Sequence, residues 1–475
     1  MSYIDTILYT VKKKKPQSAQ RKGTMLKLLV GDIIEGEVID LGVTGEGVIK
    51  YDTLPIFVPF ALPLEKVRVR INYVKKDYAF GDLIEVLSPS KERVKPRCCY
   101  FGKCGGCDLQ HMSKSVQLEI KRVGVERSLR RNGGFDYDVP SVVSLNDWGY
   151  RNKLSLPLGV NGLGDVVVGF YEKRTHKVVS MKHCALHGEW ASELIEVVTK
   201  WANENKLTVY NENTGKGLLR HLVARKIDNL SVTLVINGDN VQGVETLGKA
   251  LDEKFGDVTV FISINKKNTN VILGDSARLV YGKEVEQNLG MYKAVVSPMS
   301  FLQVNGQVRD AIYSAVAENL KGFDGNIVEL YSGVGLLTAE IASRLPRAKI
   351  MSVEIVKEAT LDAKALMSKL GFDHRVECIN DDATKFMENM KGKAQSSAII
   401  LDPPRKGCSQ EVLDSILKGE FAKVIYISCN PATLGRDLKT LTEKYTITSL
   451  QPYDMFPQTS HVECLVCLTR SDQTK

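Results

Sequence analysis

Ile327-Val328-Glu329-Leu330-Tyr331-Ser332-Gly333-Val334-Gly335-Leu336-Leu337-Thr338 reads as an apolar strand, a glycine turn and the opening of a helix. A GxG turn alone is shared by many nucleotide binders, but its surroundings narrow it. A second strand, Lys349-Ile350-Met351-Ser352-Val353, ends on Glu354. An acid about 20 residues after such a turn accepts hydrogen bonds from ribose hydroxyls in dinucleotide folds. Asn380-Asp381-Asp382-Ala383 follows a third strand, and Asp382 is placed to contact an adenine amino group. The turn lacks the full GxGxxG of pyrophosphate binders, and there is no Walker lysine. A charged sulfonium donor, which has no phosphate, therefore fits better than NAD. From Pro298 onward helices alternate with buried strands, which predicts βαβ units and a parallel sheet.

Two further strands carry chemistry at their ends. Ala398-Ile399-Ile400-Leu401 runs into Asp402-Pro403-Pro404-Arg405, and Val424-Ile425-Tyr426-Ile427-Ser428 runs into Cys429-Asn430-Pro431. Ligands of open parallel sheets bind beyond the carboxyl ends of the strands, so a carboxylate and a thiol share one edge. Asp402-Pro403-Pro404-Arg405 resembles the fourth motif of amino-methyltransferases, but Arg405 fills the slot of the stacking aromatic, which argues against adenine N6 methylation. The cysteine that cytosine-5 enzymes carry after a proline of this motif is absent. Cys429 is the alternative nucleophile. Carbon 5 of uracil is too weak a nucleophile to take a methyl group unaided. Thiolate addition at carbon 6 makes the ring an enolate, and a base must later remove the carbon-5 proton so that the thiolate can leave. Glu463, at the start of a late strand, is placed to be that base, with His461 on the same face by strand parity. The plain alternatives are a buried strand cysteine for Cys429, a surface acid for Glu463 and solvated loop carboxylates for Glu354 and Asp382.

Outward from these motifs, 475 residues imply two or three domains. No apolar run is long enough to span a membrane, and the amino terminus lacks a secretory signal. The expectation is a soluble, cytoplasmic protein with no membrane partner. The net charge of +8 is uneven: Lys12, Lys13, Lys14, Lys15, Arg21, Lys22 and Lys27 form a basic flexible arm over residues 1–27, suited to a polyanion or to solubility. Residues 28–88 read as short strands punctuated by glycines, a small barrel. In Val67-Arg68-Val69-Arg70-Ile71 the arginines share one face, which suits single-stranded nucleic acid or plain solvation. Val116 to Arg131 reads as a basic amphipathic helix ending near Gly133-Gly134, and Trp190 to Glu204 as the clearest helix of a mixed central region.

Ten cysteines in such a chain point to metal or catalytic use rather than disulfides. Cys98, Cys104 and Cys107 lie in one short loop with Gly105 and Gly106, a density that binds zinc or an iron–sulfur cluster. Cys184 is the best fourth ligand by its isolation from the sheet motifs, with His111, His183 and Cys99 as substitutes. Spacing does not choose between the metals.

Cys98…Cys104-Gly105-Gly106-Cys107 with Gln110-His111, Ser300-Phe301-Leu302-Gln303-Val304-Asn305, Asp402-Pro403-Pro404-Arg405, Ser428-Cys429-Asn430-Pro431 and His461-Val462-Glu463 together resemble the RNA uracil-5-methyltransferase family, in particular its ribosomal-RNA branch. The resemblance covers nearly the whole chain from about Lys27. It implies an α/β fold: a TRAM-type barrel at 28–88 that helps hold RNA, a mixed α+β central domain at 89–296, and a Rossmann-like class I methyltransferase domain at 297–475. It implies a [4Fe–4S] cluster on Cys98, Cys104, Cys107 and Cys184. It further implies S-adenosylmethionine bound through Gln303, Tyr331, Glu354, Asp382 and Asp402, Cys429 as nucleophile and Glu463 as base. Two positions depart: Leu336 stands where a polar donor-site residue can occur, and Cys99 where a proline is common. The tRNA-modifying branch typically lacks the barrel and the cluster cysteines, so the implied substrate is 23S ribosomal RNA. No obligate protein partner is evident. The rivals are a tRNA methyltransferase, an RNA-binding assembly factor with a silent fold, and a radical methylase. The last needs a three-cysteine site with an open iron, against which a fourth ligand at Cys184 speaks.

Overall fold

A computed structural model describes residues 28–173, 175–390 and 397–471. The basic arm lies outside the described residues. The chain forms two compact units: residues up to Val125 with Phe456–His461, and Glu126–Met455 with the chain from Val462 onward.

In the first unit β1 (Ile33–Leu41), β2 (Gly47–Tyr51), β3 (Leu54–Val58), β4 (Lys66–Val74) and β5 (Ala79–Ser88) close a barrel in the order β1-β2-β3-β5-β4. Side chains alternate across a strand, so Val67, Val69 and Ile71 enter the barrel core with Val38, Ile49 and Ile56. Arg68 and Arg70 face outward, as the alternation predicts. Arg68 is not free to meet a phosphate, however. It is ion-paired with Glu35 and Glu85, its register partners on β1 and β5. The helix Lys114–Ser128 packs Val116, Ile120 and Val123 against Leu41, Leu62, Leu109 and Met112. A π turn, Leu129–Gly133, follows, and the chain leaves it at Gly134 with φ 79°. Phe456–His461 is bound into this unit, since the Gln458 carbonyl accepts the N–H groups of Asp108 and Leu109 at 3.0 and 3.1 Å.

The second unit contains two seven-stranded sheets. The first consists of β6 (Lys153–Val160), β7 (Val166–Tyr171), β8 (Val178–Ser180), β9 (Leu219–Lys226), β10 (Leu230–Ile236), β11 (Thr259–Ile264) and β12 (Arg278–Tyr281), in the order β12-β11-β10-β9-β6-β7-β8. The helices Glu189–Glu204 and Val244–Phe255 pack Leu194, Val198, Leu247 and Leu251 onto its Leu154, Leu156, Leu222 and Val232. A hairpin of β13 (Gln287–Leu289) and β14 (Tyr292–Ala294) leads into the second sheet. That sheet contains β15 (Ile327–Leu330), β16 (Ile350–Glu354), β17 (Val376–Asn380), β18 (Ala398–Leu401), β19 (Lys423–Ser428), β20 (Tyr445–Tyr453) and β21 (Glu463–Arg470), in the order β17-β16-β15-β18-β19-β21-β20.

This α/β fold matches the expected class, with one correction. The sheet is not wholly parallel, because β21 runs antiparallel to both β19 and β20. Antiparallel neighbours need no helical crossover, and no helix lies between β20 and β21. The reversal brings the start of β21 to the end of β19, with Ser428 opposite Cys464. Among the described residues no helix is long and apolar enough to cross a membrane.

Candidate functional site

The strand order reverses between β15 and β18, and ligands of such sheets settle beyond the strand ends at that point. The glycine turn after β15 has Gly333 at φ 56° and Gly335 at φ 77°. A Cβ on Gly335 would stand 2.9 Å from the Ala363 Cβ, whereas one on Gly333 would meet only the Phe301 carbonyl at 3.9 Å. The first glycine thus leaves open space, and the second lets the helix Lys357–Lys369 pack closely. Tyr331 holds φ 64° without being glycine, a conformation costing roughly 1–2 kcal/mol.

Glu354 ends β16 and is held by the turn itself. Its carboxylate accepts the Gly333 N–H at 3.0 Å and the Val356 N–H at 2.8 Å. Asp382 caps the helix Ala383–Asn389, its Oδ1 accepting the Thr384 and Lys385 N–H groups. That capping is a sufficient structural reason for an acid there. Gln303 is buried in the loop before Asn305, which caps the helix Gly306–Asn319.

Sequence reading passed over Glu329. It is a lone acid in an apolar strand, which is the signal that marks it. Its carboxylate accepts the Thr338 hydroxyl at 2.6 Å, and Thr338 also bonds Ser352 at 3.0 Å. Burial pushes its pKa up to about 8, reinforced by the charges of Asp402 and Glu354 and opposed by the Thr338 hydroxyl. Burial also pushes Asp402 up to about 7. The edge therefore carries more carboxyl groups than it can ionise unaided. A cationic ligand relieves that repulsion, and the sulfonium of S-adenosylmethionine fits such a donor set.

Cys429 stands just past β19, half-buried. Its thiol is pushed up to about 11 by burial, then by the charges of Glu463 and Asp402, with Arg405 acting the other way. Glu463 opens β21 and is 1% exposed. Neither of its carboxylate oxygens has a hydrogen-bond partner among the described residues. Burial, and then the charge of Asp402, raise it well above its ordinary value. Cys429, Glu463 and Asp402 thus come together at one edge. His461 does not follow its expectation: it precedes β21, so strand parity does not govern it, and it belongs to the first unit.

A family profile described as tRNA (Uracil-5-)-methyltransferase matches residues 228–471. An uncharacterized RNA methyltransferase of Staphylococcus epidermidis is 36% identical over 93% of this chain and 98% of its own. One of Clostridium tetani is 35% identical over 91% and 95%. This chain belongs to the RNA uracil-5-methyltransferase family. The fold agrees with that of the Pyrococcus abyssi tRNA (uracil-54, C5)-methyltransferase in complex with S-adenosyl-L-homocysteine. The TM-score is 0.74 and the identity 29%, over 92% of this chain and 99% of that one. The protein is thus an RNA methyltransferase that uses S-adenosylmethionine as its methyl donor.

The cysteine loop of this methyltransferase lies in the first unit. The Gly106 N–H donates to the Cys104 Sγ at 3.3 Å, as amides do to cluster sulfurs. Cys98, Cys104 and Cys107 are half-buried and Cys99 is exposed. His111 is buried with both ring nitrogens unpartnered among the described residues, and its pKa is pushed down to about 3 by burial and by Arg93. Cys184 lies in the second unit, 3.1 Å from the His187 Nδ1. The His187 Nε2 faces the Lys153 carbonyl at 2.9 Å, and burial keeps the ring neutral. A carbonyl only accepts, so Nε2 carries the hydrogen and Nδ1 presents its lone pair to the Cys184 Sγ. His183 is exposed. Among the described residues no three His, Cys, Asp or Glu side chains are grouped to hold a metal ion.

Proposed function

We propose that this protein methylates carbon 5 of uridine in 23S ribosomal RNA through a covalent adduct on Cys429. The observation that carries the chemistry is the pairing of a thiol past the end of β19 with a buried, unpartnered carboxylate at the start of β21. The Cys429 thiol gives up its proton to solvent, its Sγ bonds to carbon 6 of the ring, and the displaced π electrons form an enolate across carbons 5 and 4. S-adenosylmethionine supplies an electrophilic methyl group: as carbon 5 takes it, the sulfur–methyl bond breaks and S-adenosylhomocysteine leaves, and before transfer the cationic sulfur favours the ionised forms of Cys429 and Asp402. Glu463 then removes the carbon-5 proton, the carbon 5–carbon 6 double bond reforms, and the thiolate leaves. An unpartnered buried carboxylate suits this last step, because no hydrogen bond weakens its basicity. Gln303, Tyr331, Glu354, Asp382 and Asp402 are the residues assigned to hold the donor. The target base must be unstacked to reach the edge.

The barrel would hold RNA through its aromatic hairpin rather than its arginines. Tyr73, Tyr78, Phe80 and Phe57 cluster with centroids 5.5–6.4 Å apart. The Lys75 Nζ lies 5.8 and 5.7 Å from the Tyr73 and Tyr78 rings. Aromatic rings beside lysine stack on unpaired bases.

Barrel and cysteine loop together favour 23S RNA by family likeness. A tRNA substrate is the second reading. It is favoured by the Pyrococcus abyssi enzyme, a tRNA methyltransferase that aligns with 92% of this chain. Mass spectrometry of 5-methyluridine in rRNA and tRNA from cells with and without the gene separates them. Loss from 23S RNA alone is expected. Loss from tRNA alone would overturn the substrate and keep the chemistry, and no loss from either would favour a silent-fold assembly factor.

The cysteines Cys98, Cys104, Cys107 and Cys184 are proposed as [4Fe–4S] ligands on donor chemistry and family likeness. Anaerobically purified protein should then hold ~4 irons per chain, lost in Cys107→Ser. Iron-free protein with full activity would overturn the assignment.

A further inference from the structure

The helix Pro431–Leu441, which follows Cys429 directly, carries a fully buried acid, Asp437. Nothing in the methyl-transfer chemistry above uses it. Its Oδ2 accepts the Cys408 N–H at 2.9 Å and the Tyr426 hydroxyl at 2.6 Å, and its Oδ1 accepts the Arg436 Nε at 2.7 Å. Cys408 closes the loop that begins at Asp402, and Tyr426 lies on β19. The carboxylate therefore ties the Asp402 loop to the strand that delivers Cys429. Neighbouring side chains of the same helix end grip the same loop. Arg436 Nη2 donates to the Lys406 carbonyl at 2.9 Å, Asn430 Nδ2 to the Arg405 carbonyl at 2.9 Å, and Thr433 Oγ1 to it at 3.3 Å. The fit is close: Gly407 has φ 76°, and a Cβ there would stand 2.5 Å from the Asp437 Oδ2.

We propose that Asp437 is a positioning residue for methyl transfer, fixing the loop that bears Asp402 and Arg405 against the segment that bears Cys429. The carboxylate only accepts, and all three groups facing it donate. Asn in its place turns an amino group toward one of those donors and loosens the clip while keeping the side-chain volume. A displacement of about 1 Å in such a framework costs on the order of 10²-fold in rate.

The proposal rests on the Cys429 chemistry, and the experiment separates the two. RNA carrying 5-fluorouridine at the target has no carbon-5 proton to lose, so the adduct on Cys429 accumulates and its formation rate can be read. Asp437→Asn is expected to slow adduct formation and turnover together, on the order of 10²-fold, with S-adenosylhomocysteine still bound well below the unfolding temperature. Gly407→Ala, which leaves the carboxylate in place and crowds it, should show the same split. Asp437→Asn with a lowered unfolding temperature but wild-type adduct rate per folded molecule would reduce Asp437 to a stabilising role and overturn the proposal. Adduct formation by Cys429→Ala would instead overturn the chemistry beneath it.

Discussion

Glu463 shows how far a residue's meaning depends on what surrounds it. An isolated buried carboxylate is costly, and this one has no hydrogen-bond partner among the described residues to offset the cost. Its folded pKa lies above the ordinary 4.5, so the folded state binds the proton more tightly than the unfolded state. Stability is therefore lost as pH rises above the ordinary glutamate range toward the folded value. Glu463→Gln removes that loss. Its unfolding temperature should exceed wild type at neutral and alkaline pH by about 2–4 °C for each kcal/mol gained, with the gap closing in acid. The same variant should form the Cys429 adduct and fail to release it, as seen by a persistent protein–RNA band in denaturing gels. A destabilised Glu463→Gln, or one with normal turnover, would contradict this role.

At the scale of elements, the barrel and the cysteine-bearing strand teach opposite lessons. The alternation in β4 was legible because strand side chains change face at every residue. Its electrostatics were not, because Glu35 and Glu85 come from other strands. The β4–β5 hairpin should accordingly matter more to RNA than the arginine face. Tyr73→Ala and Tyr78→Ala should weaken RNA binding by about 1–3 kcal/mol for each stacked base lost, raising KM with kcat held. Arg68→Ala should change affinity and its salt dependence little. Filter binding across a salt series measures both, and a larger loss in Arg68→Ala than in the tyrosine variants would refute the assignment. Beyond β19 the apolar runs were legible as strands, but the direction of β21 was not. Reversal depends on the strand to which β21 pairs, which no local pattern encodes.

For the molecule as a whole, the carboxyl edge of the second sheet gathers Glu329, Glu354 and Asp402 from three strands. Ionising Glu329 and Asp402, both raised by burial, is easier with a cation present. Burial pushes the Asp402 carboxyl up to about 7, so its charge grows as pH rises through that value. A cationic sulfonium gains from that charge and a neutral thioether does not. Calorimetry should show the preference for S-adenosylmethionine over S-adenosylhomocysteine increasing across that range. The increase should disappear in Asp402→Asn. A pH-independent preference in the wild type would remove Asp402 from the donor site.

The fold class, the glycine turn, the strand-ending thiol and carboxylate, and the family are all legible before any folding is considered, because each is written in contiguous residues with a fixed period or spacing. The sequence also pointed to a basic barrel face and to a four-thiolate site. Tertiary packing is what shows that Arg68 is neutralised, that Glu329 and Asp437 are buried acids with partners, and that Glu463 faces Cys429. Those facts depend on which distant segments meet, and so on burial and pairing, which turn an ordinary carboxylate or thiol into a base, a clip or a nucleophile.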